Sequence, residues 1–149
     1  MMKKILNVNE GSKATDLAIL VARVAIAAMM LTHGLPKMMQ LFSGDAVQFP
    51  SVLGLSEYAS LSLAVFAEVF CSILLLTGFA TRLAVVPLII TMLVALVSIH
   101  ASDPFGKQEP AFHYLLVYVV LLFAGSGKYS IDFLLQRNRG RRVVAVHSK

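Results

Sequence analysis

Arg23 and Glu68 are opposite charges, each set deep inside its own long apolar run. A charge near the middle of a membrane helix costs roughly 3 kcal/mol on insertion scales, so it persists only where it is paired, hydrated or used. A guanidinium presents five N–H donors to a carbonyl oxygen, and a carboxylate at membrane depth can exchange a proton. The two residues therefore suit either a ligand-binding or proton-handling site, or an ion pair that fixes the register of two helices.

A second constellation is polar and interfacial. His33, His100 and His113 fall at the ends of three different apolar runs, on the side predicted to face outward, and Lys37, Asp103, Lys107 and Glu109 surround them in sequence. Imidazole is a common metal ligand and titrates near neutral pH. No two of these histidines stand three or four residues apart, however, so the spacing favours hydrogen-bonded interfacial groups and no metal is assigned. Met29, Met30, Met38 and Met39 are expected to fill core gaps. Cys71 is the only cysteine, which excludes an intramolecular disulfide and a CxxC relay, and it too is expected in the core.

The elements that must position these groups are membrane spans. The chain is 58% hydrophobic and 14% charged, with a mean hydropathy of +0.78, outside the range of an ordinary soluble domain. It reads as one membrane domain over residues 1–149, an all-α four-helix transmembrane bundle with spans near 17–34, 58–79, 83–101 and 110–125. The first span is expected to stop at the Gly34 and Pro36 breakers. Because His33-Gly34-Leu35-Pro36-Lys37 stands where a signal peptide would have its cleavage site, that span is expected to be retained. The fourth is the shortest.

Lys3, Lys4, Lys13, Arg82, Lys128, Arg137, Arg139, Arg141, Arg142 and Lys149 fall on one side of such a bundle, and Lys37 and Lys107 on the other. The positive-inside rule then makes both termini cytoplasmic, with residues 136–149 as a basic anchor in which His147 has no assigned role. The net charge of +5 resides in these flanks rather than on a recognition helix, which argues against nucleic acid. The short Gly78 to Arg82 connection makes spans two and three a hairpin. Counting 1.5 Å per residue puts Arg23 roughly 10 Å and Glu68 roughly 15 Å deep, a difference an arginine can bridge, and so predicts an Arg23–Glu68 ion pair.

Arg23, His33-Gly34-Leu35-Pro36-Lys37-Met38, Ala67-Glu68, Thr77-Gly78-Phe79-Ala80-Thr81-Arg82, His100-Ala101-Ser102-Asp103-Pro104-Phe105 and Gly125-Ser126-Gly127-Lys128-Tyr129-Ser130-Ile131-Asp132 together resemble the DoxX family of small bacterial membrane proteins. The resemblance covers about residues 17–135. It implies a multi-pass protein of the bacterial inner membrane with Arg23, Lys37, Glu68 and Arg82 as signature polar positions. Related DoxD-type proteins are membrane subunits of a thiosulfate:quinone oxidoreductase.

The leading expectation is a membrane subunit or accessory factor of a redox or detoxification process. It would hold a quinone or similar small ligand near Arg23 and Glu68 and work with a redox partner protein, rather than act as an enzyme by itself. The alternatives are a small-solute transporter, which with four spans per chain would need a homo-oligomer, and a non-catalytic scaffold.

Overall fold

The computed structural model describes residues 13–137. Lys3, Lys4, His147 and the cations from Arg139 onward, which carry part of the orientation argument, lie outside the described residues. Within them every regular element is a helix: α1 (Lys13–Phe42), α2 (Glu57–Thr77), α3 (Thr81–Ile99), α4 (Phe105–Ala124) and a short α5 over 131–137. The helices α1, α2 and α3 are long and apolar enough to cross a membrane. α4 has 20 residues but carries Lys107 and Glu109 near its start, which dilutes its apolar character.

α1 does not stop at Gly34 and Pro36 as expected but continues to Phe42. Proline removes one backbone hydrogen bond, and in an apolar helix the intact ladder on either side outweighs that loss. Its 30 residues give a length of about 45 Å, well beyond a hydrocarbon thickness of about 30 Å, so its last turns reach past the bilayer or the helix tilts.

α2 begins where the Ser56 hydroxyl accepts from the Ala59 N–H at 3.3 Å, a side-chain N-cap. Its middle, Phe66–Cys71, is π-helical, as is the end of α3, Ala95–Ile99. Such segments are rare and break the regular ladder, commonly at functional sites. α2 ends at Gly78, whose φ of 70° lets the Phe79 N–H return to the Leu74 carbonyl at 3.0 Å.

Each helix packs on its neighbours in sequence, and α4 closes the ring against α1. Ile26, Ala27 and Met30 of α1, Cys71 and Leu75 of α2, Leu88 and Met92 of α3, and Tyr118 and Leu121 of α4 form the core. A smaller cluster of Leu61, Val65 and Val69 is covered by Val47 and Phe49 from the α1–α2 loop. Cys71 is buried as expected. Of the methionines only part of the expectation holds: Met30 is core, but Met29 and Met39 are 55% and 70% exposed. They join Val21, Leu83, Ile90, Val97, Leu116 and Val120 on an apolar exterior of the kind that lipid covers.

Candidate functional site

The structure separates Arg23 from Glu68, and each has other partners. Side chains on a helix lean toward its N-terminus. Arg23 accordingly reaches back along α1 toward Gly78 and the segment after α4, where its Nη1 donates to the Ser126 carbonyl and its Nη2 to the Tyr129 carbonyl at 2.6 Å. A Cβ placed on Gly78 would meet this guanidinium, so the α2–α3 turn is at the same level. Glu68 lies ten residues from Gly78, about 15 Å along α2, beyond the reach of Arg23.

Around Arg23 the segments 77–82 and 125–132 interlock. Asp132 accepts from the Ala80 N–H at 2.8 Å and the Thr81 N–H at 3.2 Å, capping α3 from fifty residues away, while its own N–H donates to the Gly78 carbonyl at 3.1 Å. That double acceptance holds Ala80 at φ 49°, a left-handed conformation that alanine resists. The Ser130 hydroxyl donates to the Gly127 carbonyl at 2.6 Å, Lys128 pairs with Asp16 at 3.0 Å, and Arg82 Nη2 donates to the Phe123 carbonyl at 3.2 Å. This end is a hydrogen-bonded clasp in which Arg23 and Arg82 serve the backbone.

Glu68 is paired instead with Lys37, whose Nζ lies 2.5 Å from its Oε1. The reason is local. Gly34 packs so closely on the π-helical turn of α2 that a Cβ there would come 3.0 Å from the Glu68 backbone and 2.8 Å from Val69. Lys37, one turn further on, then leans back onto the carboxylate. Its Nζ also stands 5.8 Å from the centre of the Phe49 ring. Glu68 is 2% exposed, and its second oxygen, Oε2, accepts no hydrogen bond from the described residues.

Lys37 and Glu68 form part of the wall of two cavities. One, of about 130 Å³, is a fissure lined by apolar side chains such as Leu63, Ile90 and Val94. The other, of about 320 Å³, adds His33, His100, Lys107 and Tyr114. The π-helical residues Ala95 and Ile99 border both. An ion pair with one idle acceptor, beside an apolar fissure and a larger cavity that adds titratable side chains to an apolar lining, can bind an amphipathic ring and take a proton from it.

The histidine cluster converges in part. His33 stacks edge-on to Tyr114 at 5.9 Å and shares the larger cavity with His100, whereas His113 and Glu109 are exposed and do not line it. His100 Nδ1 is 2.8 Å from Asp103, and Lys107 lies 3.7 Å from the same carboxylate. The hydrogen bond to His100, with Lys107 adding to it, lowers the Asp103 pKa below the ordinary value. Among the described residues no three His, Cys, Asp or Glu side chains gather as a metal site would require.

Sequence reasoning set Lys37 among the outer polar groups and gave Glu68 to Arg23, named Asp132 only within a family motif and without a role, and missed Phe49, Tyr114 and Tyr118. Tyr114 and Tyr118 stand four residues apart on α4, both buried, with rings stacked at 6.0 Å and the Tyr118 hydroxyl unpartnered among the described residues. That i, i+4 spacing inside an apolar run was the available signal. For Asp132 the signal was its place at the end of a glycine- and serine-rich segment after the last apolar run.

No solved structure matches the chain. It is 27% identical over 124 residues to a Bacillus subtilis (strain 168) protein named "Putative oxidoreductase CatD", across 81% of this chain and 89% of that one. The family model of DoxX matches residues 18–101, more than half of the chain and the stretch that holds Arg23, Lys37, Glu68 and Arg82, and the chain belongs to the DoxX family.

Proposed function

We propose that this protein is a four-span bacterial inner-membrane protein that holds a small quinone-class ligand at Lys37 and Glu68 and acts as the membrane subunit of an oxidoreductase, with a partner protein contributing the redox centre. The observation that carries the reading is the buried Glu68 carboxylate, paired on one oxygen and idle on the other, in the wall shared by the apolar fissure and the larger cavity that holds His33, His100 and Tyr114. Lys37 would donate to a ring oxygen, the Glu68 carboxylate would accept a hydrogen bond, and in turn the proton, from a ring hydroxyl at Oε2, and the Leu63, Ile90 and Val94 fissure would exclude water from the ring's apolar edge. The name of the Bacillus subtilis relative supports an oxidoreductase setting. Arg23, engaged by loop carbonyls, plays no part in this site.

Orientation is part of the proposal. Lys13, Arg82, Lys128 and Arg137 gather at the clasp end, which by the positive-inside rule is cytoplasmic, and the Lys37–Glu68 cavities then open toward the outer face.

The test is a melting measurement on purified protein with a short-chain quinone, offered oxidised or reduced. A ligand at a hundred times its Kd stabilises by about 2.7 kcal/mol, which raises the Tm of a protein this size by several degrees. The shift is expected in the wild type and absent in the Lys37→Met/Glu68→Leu double variant, which removes the pair without stranding a charge. No shift with either form, and no quinone extractable from the membrane-purified protein, would overturn the reading.

A further inference from the structure

Resting on that reading, we propose that the Lys37–Glu68 site selects the reduced, hydroxyl-bearing form of its ring ligand, a hydroquinone, over the oxidised dicarbonyl form.

In its ion pair with Lys37, Glu68 is acceptor-only. Oε1 takes the ammonium, and Oε2, on a residue 2% exposed, receives nothing from the described residues. A ligand that satisfies Oε2 must bring a donor. A hydroquinone brings an O–H on each side of its ring, whereas a quinone offers only carbonyl oxygens, and two acceptors facing each other repel.

Lys37 sharpens the choice. Its ammonium has three N–H donors, of which Glu68 takes one. A hydroxyl group beside the pair can therefore give its hydrogen to Oε2 and accept another from Nζ, so that a single oxygen completes both partners. A carbonyl completes only Lys37 and leaves Oε2 buried and bare.

The surroundings accommodate the rest of such a molecule. The fissure lined by Leu63, Ile90 and Val94 takes an alkyl substituent, and Tyr114, His33 and His100 around the larger cavity can each donate or accept toward the far oxygen. These three adapt to either redox form. Glu68 does not, which places the selectivity at one atom.

The experiment compares duroquinone, durohydroquinone and 2,3,5,6-tetramethylphenol, the last a hydroxyl-bearing ring that cannot cycle to a quinone, as ligands of the full chain in nanodiscs under anaerobic conditions. One charge-assisted hydrogen bond gained or lost should make the hydroquinone and the phenol bind about tenfold or more tightly than the quinone. In Glu68→Gln, whose amide can donate to a carbonyl, the ratio is expected to fall to about one. Equal or tighter binding of the quinone to wild type overturns the proposal while leaving the functional reading in place, as does an unchanged ratio in a folded Glu68→Gln protein. Failure of all three probes to bind overturns both. If Glu68→Gln does not fold, the wild-type ratio decides alone.

Discussion

A guanidinium that grips two carbonyls is a fastener, and Arg23 can be tested as one. Its planar fork donates to Ser126 and Tyr129 together, a geometry that the single ammonium of lysine does not reproduce. Arg23→Met leaves both carbonyls without that donor at a buried site. With each charge-assisted hydrogen bond contributing about 1.5–3 kcal/mol, the variant is expected to lose about 3 kcal/mol or more, read as an earlier unfolding transition in detergent. Its affinity for ring ligands should not change, because Arg23 lines neither cavity beside Glu68. The same residue marks the limit of what the sequence conveys. That a charge is buried at position 23 is legible from its apolar neighbours. Its partner is not found by counting depth along two helices, since the side chain adds its own length in a fixed direction. The lean toward the helix N-terminus carries Arg23 away from Glu68 and brings Lys37 toward it.

Among the elements, the contact between α1 and the π-helical turn of α2 decides the shape of the site. Gly34 is the residue that permits it. In Gly34→Ala the new methyl meets Val69 and the Glu68 backbone at 3.0 Å or less, so the helices must part locally, at an expected cost of about 1–3 kcal/mol. Because the displaced backbone is that of Glu68, ligand affinity should fall as well, and a melting curve with and without ligand reads both effects. An unaltered ligand response would show that this contact does not set the position of the carboxylate. The π-helical turns left no mark in the sequence, since Phe66–Cys71 reads as an ordinary apolar stretch. The extension of α1 was hidden by the usual reading of glycine and proline as stops, which applies in water more than inside a packed apolar bundle. The hairpin of α2 and α3 was legible from Gly78, and the left-handed φ found there is what glycine is suited for.

For the whole molecule, apolar composition and run lengths led directly to a membrane protein whose described residues form helices alone, and the ordered motifs led to the family. The proposed four-span arrangement is tested by cysteines placed at Gly106, where added atoms meet open space, and at Lys128, in a Cys71→Ser background. A membrane-impermeant thiol reagent applied from outside intact cells should label the first and not the second; the same pattern at both sites would exclude a spanning α4. The clasp also implies an order of events during synthesis. Arg23 enters the membrane about a hundred residues before Ser126 and Tyr129 exist to receive it, and the start of α3 waits some fifty residues for Asp132. Until the segment after α4 leaves the ribosome, the nascent chain carries an unreceived cation on α1 and an uncapped α3, so residues made about a hundred positions later complete a helix already inserted.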